Sequence, residues 1–441
     1  MLNRRELIVG TSALVTAPAS RALTNRSAFV TRKDKYFSRL DQPYRVAGTN
    51  MWYAAYLGAD APIGNRDRLR RELDRLSLLG INNVRILGSS EFSPLKNSVR
   101  PTFRNRTSRY NQVLLHGLDY ALTEMGKRRM TAVLYLANFW EWSGGMMTYL
   151  YWTNGGRYLN MNDPTHPWPE FADMSSEFYG HPSAVRMFED YVRALVGRRN
   201  SITGQRYRDD PTIMGWQLAN EPRPGGSGRA ARNHMTAYLA WIDRSARLIK
   251  SIDPHHLVST GSEGTQGCND EDQCVFDAHR SASIDYVTAH IWPQNWGWAD
   301  PKDLEGTWPT TERNARSYLS RQLRIARHLG KPLVIEEFGY PRDGGDFTPG
   351  SSTTFRDRYY ELIFDTVIDS VRAGDSLQGA NFWAWGGEGR AQHSDRRFVR
   401  GDTAYLGDPP HEPQGWYSVF DTDVSTKKVI KDYAQSLSSL A

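Results

Sequence analysis

Short apolar runs rich in Val and Ile alternate along the chain with longer segments whose apolar residues recur at helical spacing. Residues 66–79 are one of these helical segments, because four leucines fall on one face: Leu69, Leu73, Leu76 and Leu79. Gly80 follows as a stop signal. Other helices are expected to end at Gly126, Gly330 and Gly374. This alternation is typical of βα units.

Eight of the apolar runs are candidate strands. They are residues 45–51, 81–87, 130–138, 213–221, 256–264, 284–292, 331–339 and 378–386. No low-complexity linker or shift in composition separates them, and 441 residues accommodate one large barrel with long loops. The pattern therefore favours an α/β fold made of a single (β/α)8 TIM barrel. An open, doubly wound sheet is the alternative.

Polar and aromatic residues gather at the C-terminal ends of these strands, where barrel enzymes place their chemistry. The residues there include Arg85, Asn138, Asn220, Glu221, Glu263, His290, Trp292, Glu336, Glu337, Trp383 and Trp385. Long segments follow the third and the eighth strand, at residues 139–185 and 388–414. The first contains many Trp and Tyr residues, so we expect it to form a wall over the barrel mouth.

Composition narrows the class of ligand. The chain holds 14 Trp, 22 Tyr and 16 Phe, more Trp than a core requires, and flat apolar ligands such as sugar rings would use them. The chain holds 55 basic and 49 acidic residues and no block of five or more consecutive Lys or Arg, so no nucleic-acid partner is expected. No apolar run beyond the N-terminus approaches the length of a membrane span.

The first 22 residues are typical of an export signal. Arg4 and Arg5 precede a largely apolar stretch at 7–19, and small residues follow. The paired arginines indicate the bacterial twin-arginine route, so we expect a secreted or periplasmic protein with one catalytic domain over 23–441. The alternative is a buried N-terminal helix.

Only two cysteines occur, Cys268 and Cys274, and an exported protein favours a local disulfide between them. Zinc is disfavoured, because no second Cys pair or suitably spaced His pair accompanies them. We expect neither a metal nor another cofactor.

Two glutamates are placed for catalysis. Glu221 and Glu337 end the fourth and the seventh candidate strand, and these ends face each other across a barrel mouth. Such a pair can hydrolyse a glycoside, one carboxyl protonating the leaving oxygen while the other attacks the anomeric carbon. Arg85 would favour the ionised form of Glu337, and dry surroundings would favour the protonated form of Glu221. Taken singly, either glutamate also suits a surface position.

Seven segments in barrel order carry a resemblance to a known family. They are GTNMW (48–52), NNVRIL (82–87), WQLANEPR (216–223), VSTGSEG (258–264), AHIWPQNWGW (289–298), PLVIEEFG (332–339) and NFWAWGG (381–387). Over about residues 41–435 the chain resembles glycoside hydrolase family 5, and within it the endo-β-1,4-mannanases of bacterial type.

The resemblance implies a role for each matching residue. Glu221 would be the acid/base and Glu337 the nucleophile, while Glu336 would point away. The substrate-binding residues would be Trp52, Arg85, Asn220, Arg223, His290, Trp292 and Trp383. Trp292 stands where many members carry Tyr, so its contact with the nucleophile is the least secure of these roles.

These observations predict an exported monomer that acts on a β-mannan type of polysaccharide. It would be a retaining endo-glycosidase that cuts internal β-1,4 linkages of mannan, glucomannan or galactomannan by double displacement. A β-1,4-glucanase or another β-glycanase on the same barrel is the first alternative. A non-catalytic carbohydrate-binding protein is the second.

Overall fold

A computed structural model of the chain describes residues 28–107 and 109–440. The predicted export signal at 1–22 lies outside the described residues. Among the helices of the described ranges, none combines the length and apolarity needed to cross a bilayer.

The described chain opens with a small antiparallel sheet that the sequence pattern did not predict. Its strands are β1 (Thr31–Lys33), β2 (Tyr36–Arg39) and β3 (Gln42–Tyr44). Phe37 and Tyr44 of this sheet pack with Val46, Val133, Met214, Leu257, Tyr286 and Val334 at the lower end of the barrel. The small sheet therefore closes the barrel opposite the polar strand ends.

All eight predicted barrel strands are confirmed. They are β4 (Val46–Asn50), β5 (Asn83–Leu87), β6 (Thr131–Tyr135), β7 (Ile213–Gln217), β8 (Leu257–Ser259), β9 (Val287–Ile291), β10 (Leu333–Phe338) and β11 (Leu377–Phe382). They form one parallel sheet in the order β8-β7-β6-β5-β4-β11-β10-β9. Backbone hydrogen bonds join its two outer strands, from His290 N to Glu263 O (3.0 Å) and from Asp285 N to Val258 O (2.7 Å). The sheet is thus a nearly closed TIM barrel.

Helices surround this barrel. They are α1 (Ala54–Gly58), α2 (Arg66–Leu78), α3 (Gln112–Lys127), α4 (Gly145–Thr153), α5 (Glu170–Ser176), α6 (Pro182–Val196), α7 (Gly228–Ile252), α8 (Asp272–His279), α9 (Leu304–Leu329), α10 (Thr354–Arg372) and α11 (Val424–Ser439). Helix α2 begins after Asn65, whose side chain accepts from the Arg68 N–H. Helix α9 ends at Gly330, whose φ of 62° suits a residue without a Cβ. Helix α3 extends one residue past the predicted end at Gly126.

The register of the strands assembles the polar ends at one rim. Glu337 on β10 pairs with His290 on β9, and just beyond β6 and β7 a bridge joins Asn138 to Asn220. A further two-stranded sheet, β12 (Trp385–Gly387) and β13 (Val419–Phe420), holds both ends of the long loop after β11. This loop therefore returns to the barrel rim.

Candidate active site

A cleft of about 590 Å³ lies at the C-terminal ends of the barrel strands. Its lining combines strand ends with the two long segments predicted to cover the mouth. The lining residues are Trp140, Trp142, Met161, Asn162, Trp168, Asn220, Glu221, Arg223, Glu263, Gln266, Trp292, Asn295, Trp296, Glu337, Trp383, Pro409, His411 and Glu412.

The two predicted catalytic glutamates converge in this cleft. An oxygen of Glu221 and an oxygen of Glu337 lie within 4.8 Å of each other, and both side chains are buried. Retaining glycosidases hold their carboxyls about 5 to 5.5 Å apart, whereas inverting enzymes leave room for a water molecule between them. The spacing here therefore suits direct attack by one carboxylate on the sugar.

Arg85 fixes the carboxylate of Glu337. Its guanidinium donates to Glu337 Oε1, to Gln217 Oε1 (2.8 Å), to Asn220 Oδ1 (2.8 Å) and to Asn50 Oδ1 (3.1 Å). Burial alone would lower the pKa of Arg85, but the carboxylates of Glu337 and Glu336 raise it above its ordinary value. The guanidinium thus stays charged and holds the Glu337 carboxyl in a fixed position.

Glu221 follows β7 with a left-handed backbone at φ 51°, a conformation that is uncommon for a non-glycine residue and frequent at functional sites. His290 Nδ1 lies 2.6 Å from Glu221 Oε1, and the Trp140 indole donates to Glu221 Oε2. His290 Nδ1 also lies 3.3 Å from Glu337 Oε2. One imidazole therefore bridges the two carboxyls from below the cleft.

The location of the catalytic proton differs from the expectation. Burial alone would raise the pKa of Glu221, but the hydrogen bond and charge of His290 lower it below its ordinary value. Burial would lower the pKa of His290, yet the charges of Glu337 and Glu221 raise it to about 9. Dry surroundings alone therefore do not protonate Glu221, because its hydrogen-bond donors favour the ionised form. At neutral pH the proton resides on His290.

The remaining strand-end residues surround this pair. Trp383 and Trp292 line the cleft with ring centroids 6.0 Å apart, and Trp383 Nε1 is buried with no hydrogen-bond partner in the part of the chain that the structure describes. Trp292 packs on Tyr417, and no hydrogen bond joins its indole to Glu337 among the described residues. Glu336 faces the barrel interior, where it accepts from Gln217 and from the Tyr286 hydroxyl (3.0 Å).

A third carboxyl lies on the opposite side of Glu221. Arg223 Nη2 lies 2.5 Å from Glu263 Oε2, and the Arg223 guanidinium stacks 4.9 Å above the Trp140 ring. Burial raises the pKa of Glu263 to about 7, although the charge of Arg223 opposes this. The sequence placed Glu263 at a strand end but assigned it no role.

The expected sugar contact of Trp52 is not supported. Its ring is fully buried and packs against Tyr53, Tyr56 and Trp142, and its Nε1 donates to Gly407 O (3.1 Å). Gly407 belongs to the loop at 388–414, which covers this tryptophan. The residue identity alone did not reveal that a segment more than 300 residues away covers it.

The same loop brings two polar residues into the cleft that the sequence analysis missed. His411 Nδ1 and Glu412 Oε2 are buried and have no hydrogen-bond partner in the described part of the chain. Burial lowers the pKa of His411 to about 4, and it raises that of Glu412 well above its ordinary value. Burial therefore favours the neutral form of both side chains, and their unpartnered atoms can bond a sugar hydroxyl.

Hydrogen bonds within the segment from Asp408 to Ser418 stabilise this end of the loop at 388–414. Asp408 accepts from the backbone N–H groups of Gly415 (2.7 Å) and Tyr417 (2.6 Å) and from the Ser418 hydroxyl. The Gln414 side chain donates to the carbonyl oxygens of Asp408 (3.1 Å) and Glu412 (3.2 Å). Glu412 therefore stands on a loop with a defined shape.

The predicted disulfide is present, since the structure joins Cys268 to Cys274. Cys268 ends a single helical turn at Thr265–Cys268 and Cys274 lies in α8, with 5.7 Å between their Cα atoms. A Cβ added at Gly267 of the same turn would lie 3.2 Å from Glu263 and 3.7 Å from Arg223, so the bridge lies close to these two residues of the cleft.

Comparisons with known proteins agree with this geometry. A family described as GH family 5 β-mannosidase-like matches residues 27–441. The crystal structure of a glycoside hydrolase family 5 mannosidase from Rhizomucor miehei is 35% identical, has a TM-score of 0.86, and the match covers 94% of this chain and 99% of that one. Mannan endo-1,4-β-mannosidase 1 of Solanum lycopersicum is 26% identical, over 99% of this chain and 98% of its own length.

Proposed function

Because the chain belongs to the glycoside hydrolase family 5 β-mannosidase-like proteins, we propose that it hydrolyses β-1,4-mannosidic linkages with retention of configuration. The observation that carries this proposal is the pair Glu221 and Glu337, whose oxygens lie within 4.8 Å of each other in a Trp-lined cleft. Mannan, glucomannan and galactomannan are the polysaccharides that contain this linkage.

In the first step Glu337 attacks. Its carboxylate, oriented by Arg85, forms a bond to the anomeric carbon while the bond from that carbon to the leaving oxygen breaks. Glu221 gives its proton to the leaving oxygen, and the shortened chain departs. A glycosyl-enzyme ester on Glu337 remains.

His290 supplies the proton for this step. A shift along the 2.6 Å hydrogen bond, from His290 Nδ1 to Glu221 Oε1, converts the ion pair into neutral His290 and protonated Glu221. Substrate that displaces water from the cleft favours this neutral pair, because low polarity disfavours separated charges. His290, which the sequence predicted to bind substrate, thus also serves the acid/base.

In the second step water replaces the leaving group. Glu221, now ionised, takes one proton from the water while the water oxygen bonds to the anomeric carbon and the ester to Glu337 breaks. Two displacements at one carbon return the β configuration to the product.

For the position of cleavage, we propose attack on internal linkages. The Solanum lycopersicum relative and a mannan endo-1,4-β-mannosidase of Arabidopsis thaliana, 27% identical over 81% of this chain, support this mode by their names.

Release of single mannose units from chain ends is the second candidate, and the loop at 388–414 favours it. That loop covers Trp52, one of the predicted substrate-binding residues, and it directs Glu412 into the cleft. The 35% identical Rhizomucor miehei protein is named a mannosidase rather than a mannanase.

One experiment tests the reaction and its position together. Wild type and Glu337→Ala are incubated with mannan, galactomannan and a mixed-linkage β-glucan, and the released oligosaccharides are sized over time. Internal attack predicts a range of short manno-oligosaccharides from wild type alone, whereas end attack predicts mannose. Faster cleavage of the glucan would overturn the substrate, and equal activity of Glu337→Ala would overturn the mechanism.

We propose in addition that the protein is exported and works as a monomer. The twin-arginine pattern at 1–22 and the Cys268–Cys274 disulfide support export, since disulfides persist in oxidising compartments. Cell fractionation of the native host, with size-exclusion chromatography of the purified chain, tests both statements.

A further inference from the structure

A second and larger cavity, of about 1000 Å³, lies outside the catalytic cleft. The two share no lining residue. The walls of the second cavity come from the loop between β5 and α3, from the end of α4, and from the loop at 388–414. The reaction described above uses none of its residues.

Positive charge dominates this cavity. Arg100, Arg106 and Arg400 line it, and no Asp or Glu is among its lining residues. None of the three arginines forms an ion pair with a carboxylate of the described chain. Burial lowers the pKa of Arg100 to about 10, and the neighbouring charge of Arg400 adds to this decrease. Arg100 is thus charged at neutral pH, and no carboxylate of the described residues compensates its charge.

Backbone carbonyl oxygens hold two of the three guanidinium groups in place. Arg100 donates to Ser93 O, and Arg400 donates to Pro94 O (3.2 Å) and Leu95 O. Arg100 Nη1 is buried and has no hydrogen-bond partner within the described ranges. A guanidinium that is positioned by backbone carbonyls and retains an unused N–H group is suited to an external acceptor.

Aromatic surface lies beside these charges. The Phe92 ring is 57% exposed, and the Arg100 guanidinium lies 3.9 Å from its centroid. Tyr151 lines the same cavity and contacts the exposed Tyr158 edge-on at 5.5 Å. Sugar rings stack on such exposed aromatic faces, whereas an isolated inorganic anion gains nothing from them.

We propose that this cavity is a second glycan site, which binds the carboxylate of an acidic sugar in a polysaccharide. The arginines bind the carboxylate while Phe92 and Tyr151 contact the sugar ring. The site extends the enzyme's contacts beyond the neutral sugars of the catalytic cleft to uronic acid units. It is independent of the proposed cleavage reaction, because neither catalytic glutamate contributes to it.

Affinity electrophoresis of the full chain tests this proposal. Gels contain either alginate, a polymer of β-1,4-linked mannuronate and its epimer, or neutral galactomannan, and retardation gives a dissociation constant for each. Wild type is compared with Arg100→Gln/Arg106→Gln, and with the charge-matched control Arg229→Gln/Arg232→Gln on the exposed face of α7.

The first variant should bind alginate at least about tenfold more weakly than wild type, because it loses charge-assisted hydrogen bonds to the carboxylate. The control variant should bind alginate as wild type does, and all three proteins should bind galactomannan equally. Phe92→Ser, which leaves the charges unchanged, should also weaken alginate binding.

Two results would overturn the proposal. Equal losses in both double variants would show attraction by net charge alone, and unaltered binding in Arg100→Gln/Arg106→Gln would place the acidic sugar elsewhere. Thermal unfolding of each variant, followed by circular dichroism, shows whether weaker binding comes from a lost site or from a lost fold. If Arg100 is needed for folding, the single variant Arg106→Gln is used to test the site. Loss of galactomannan binding alone would count against the proposed function and not against this site.

Discussion

The cleft has two walls of different construction. At the wall made of strand ends, each catalytic carboxyl is held by neighbouring side chains: Glu337 by Arg85, and Glu221 by His290 and Trp140. At the wall made by the loop at 388–414, His411 Nδ1 and Glu412 Oε2 have no partner among the described residues. The first wall fixes charge for a reaction, and the second offers unused polar atoms to a ligand.

The largest expected effect is at the strand-end wall. Glu337→Gln removes the nucleophile and should lower kcat by at least about a thousandfold. Glu336→Gln is the matched control, because that neighbour faces the barrel interior and should retain activity within about tenfold. Steady-state rates on mannan measure both variants. If Glu336→Gln were the more damaging change, the two roles would have to be exchanged.

The proton on His290 predicts a pH dependence. Its pKa of about 9 in the folded protein lies above the ordinary value of 6.5. The contribution of protonated His290 to the stability of the folded protein is therefore fully present below about pH 6.5 and is lost as pH rises through about 9. Activity should fall over the same alkaline range, because neither His290 nor Glu221 then holds the catalytic proton.

His290→Asn sharpens this point. It removes the proton source while leaving Glu221 and Glu337 in place, so kcat should decrease by about a hundredfold. The alkaline limit near pH 9 should disappear from the profile of kcat against pH. Were the variant to keep that limit at the same pH, another group would be responsible for it.

A smaller effect is expected at the loop wall. Glu412→Ala removes a buried polar group from the cleft and should lower kcat/KM on manno-oligosaccharides by about tenfold. Glu412→Gln should stay close to wild type, because burial raises the pKa of Glu412 and so favours its uncharged form. Equal damage from the two substitutions would indicate that Glu412 acts as an anion.

The smallest catalytic effect is expected at Trp52. Trp52→Phe loses the bond to Gly407 O and some packing, which should lower the free energy of unfolding by about 1 to 3 kcal/mol. KM should not change, since the ring lies beneath the loop and outside the cleft. Denaturant unfolding measures the loss of stability, and steady-state kinetics measure KM. A large rise in KM would instead support the predicted contact between Trp52 and a sugar.

The strand-end wall was predictable from the sequence because repeated apolar runs fix the barrel strands and their ends. Glu221, Glu337 and Arg85 therefore lie close together at the strand ends, as the pattern predicted. The loop wall was not predictable, since residues 388–414 have no periodicity and their contacts involve partners distant in the chain, such as Trp52. The proton on His290 was missed because it depends on hydrogen bonds that only coordinates reveal.

Proton NMR of the earliest product tests the central claim, that two strand-end carboxylates perform two displacements at one anomeric carbon. Wild type is mixed with manno-oligosaccharide, and the anomeric signal of the newly formed reducing end is recorded before mutarotation equilibrates it. The spacing within 4.8 Å predicts that the β anomer appears first. An initial α anomer would mean a single displacement by water and would contradict the account.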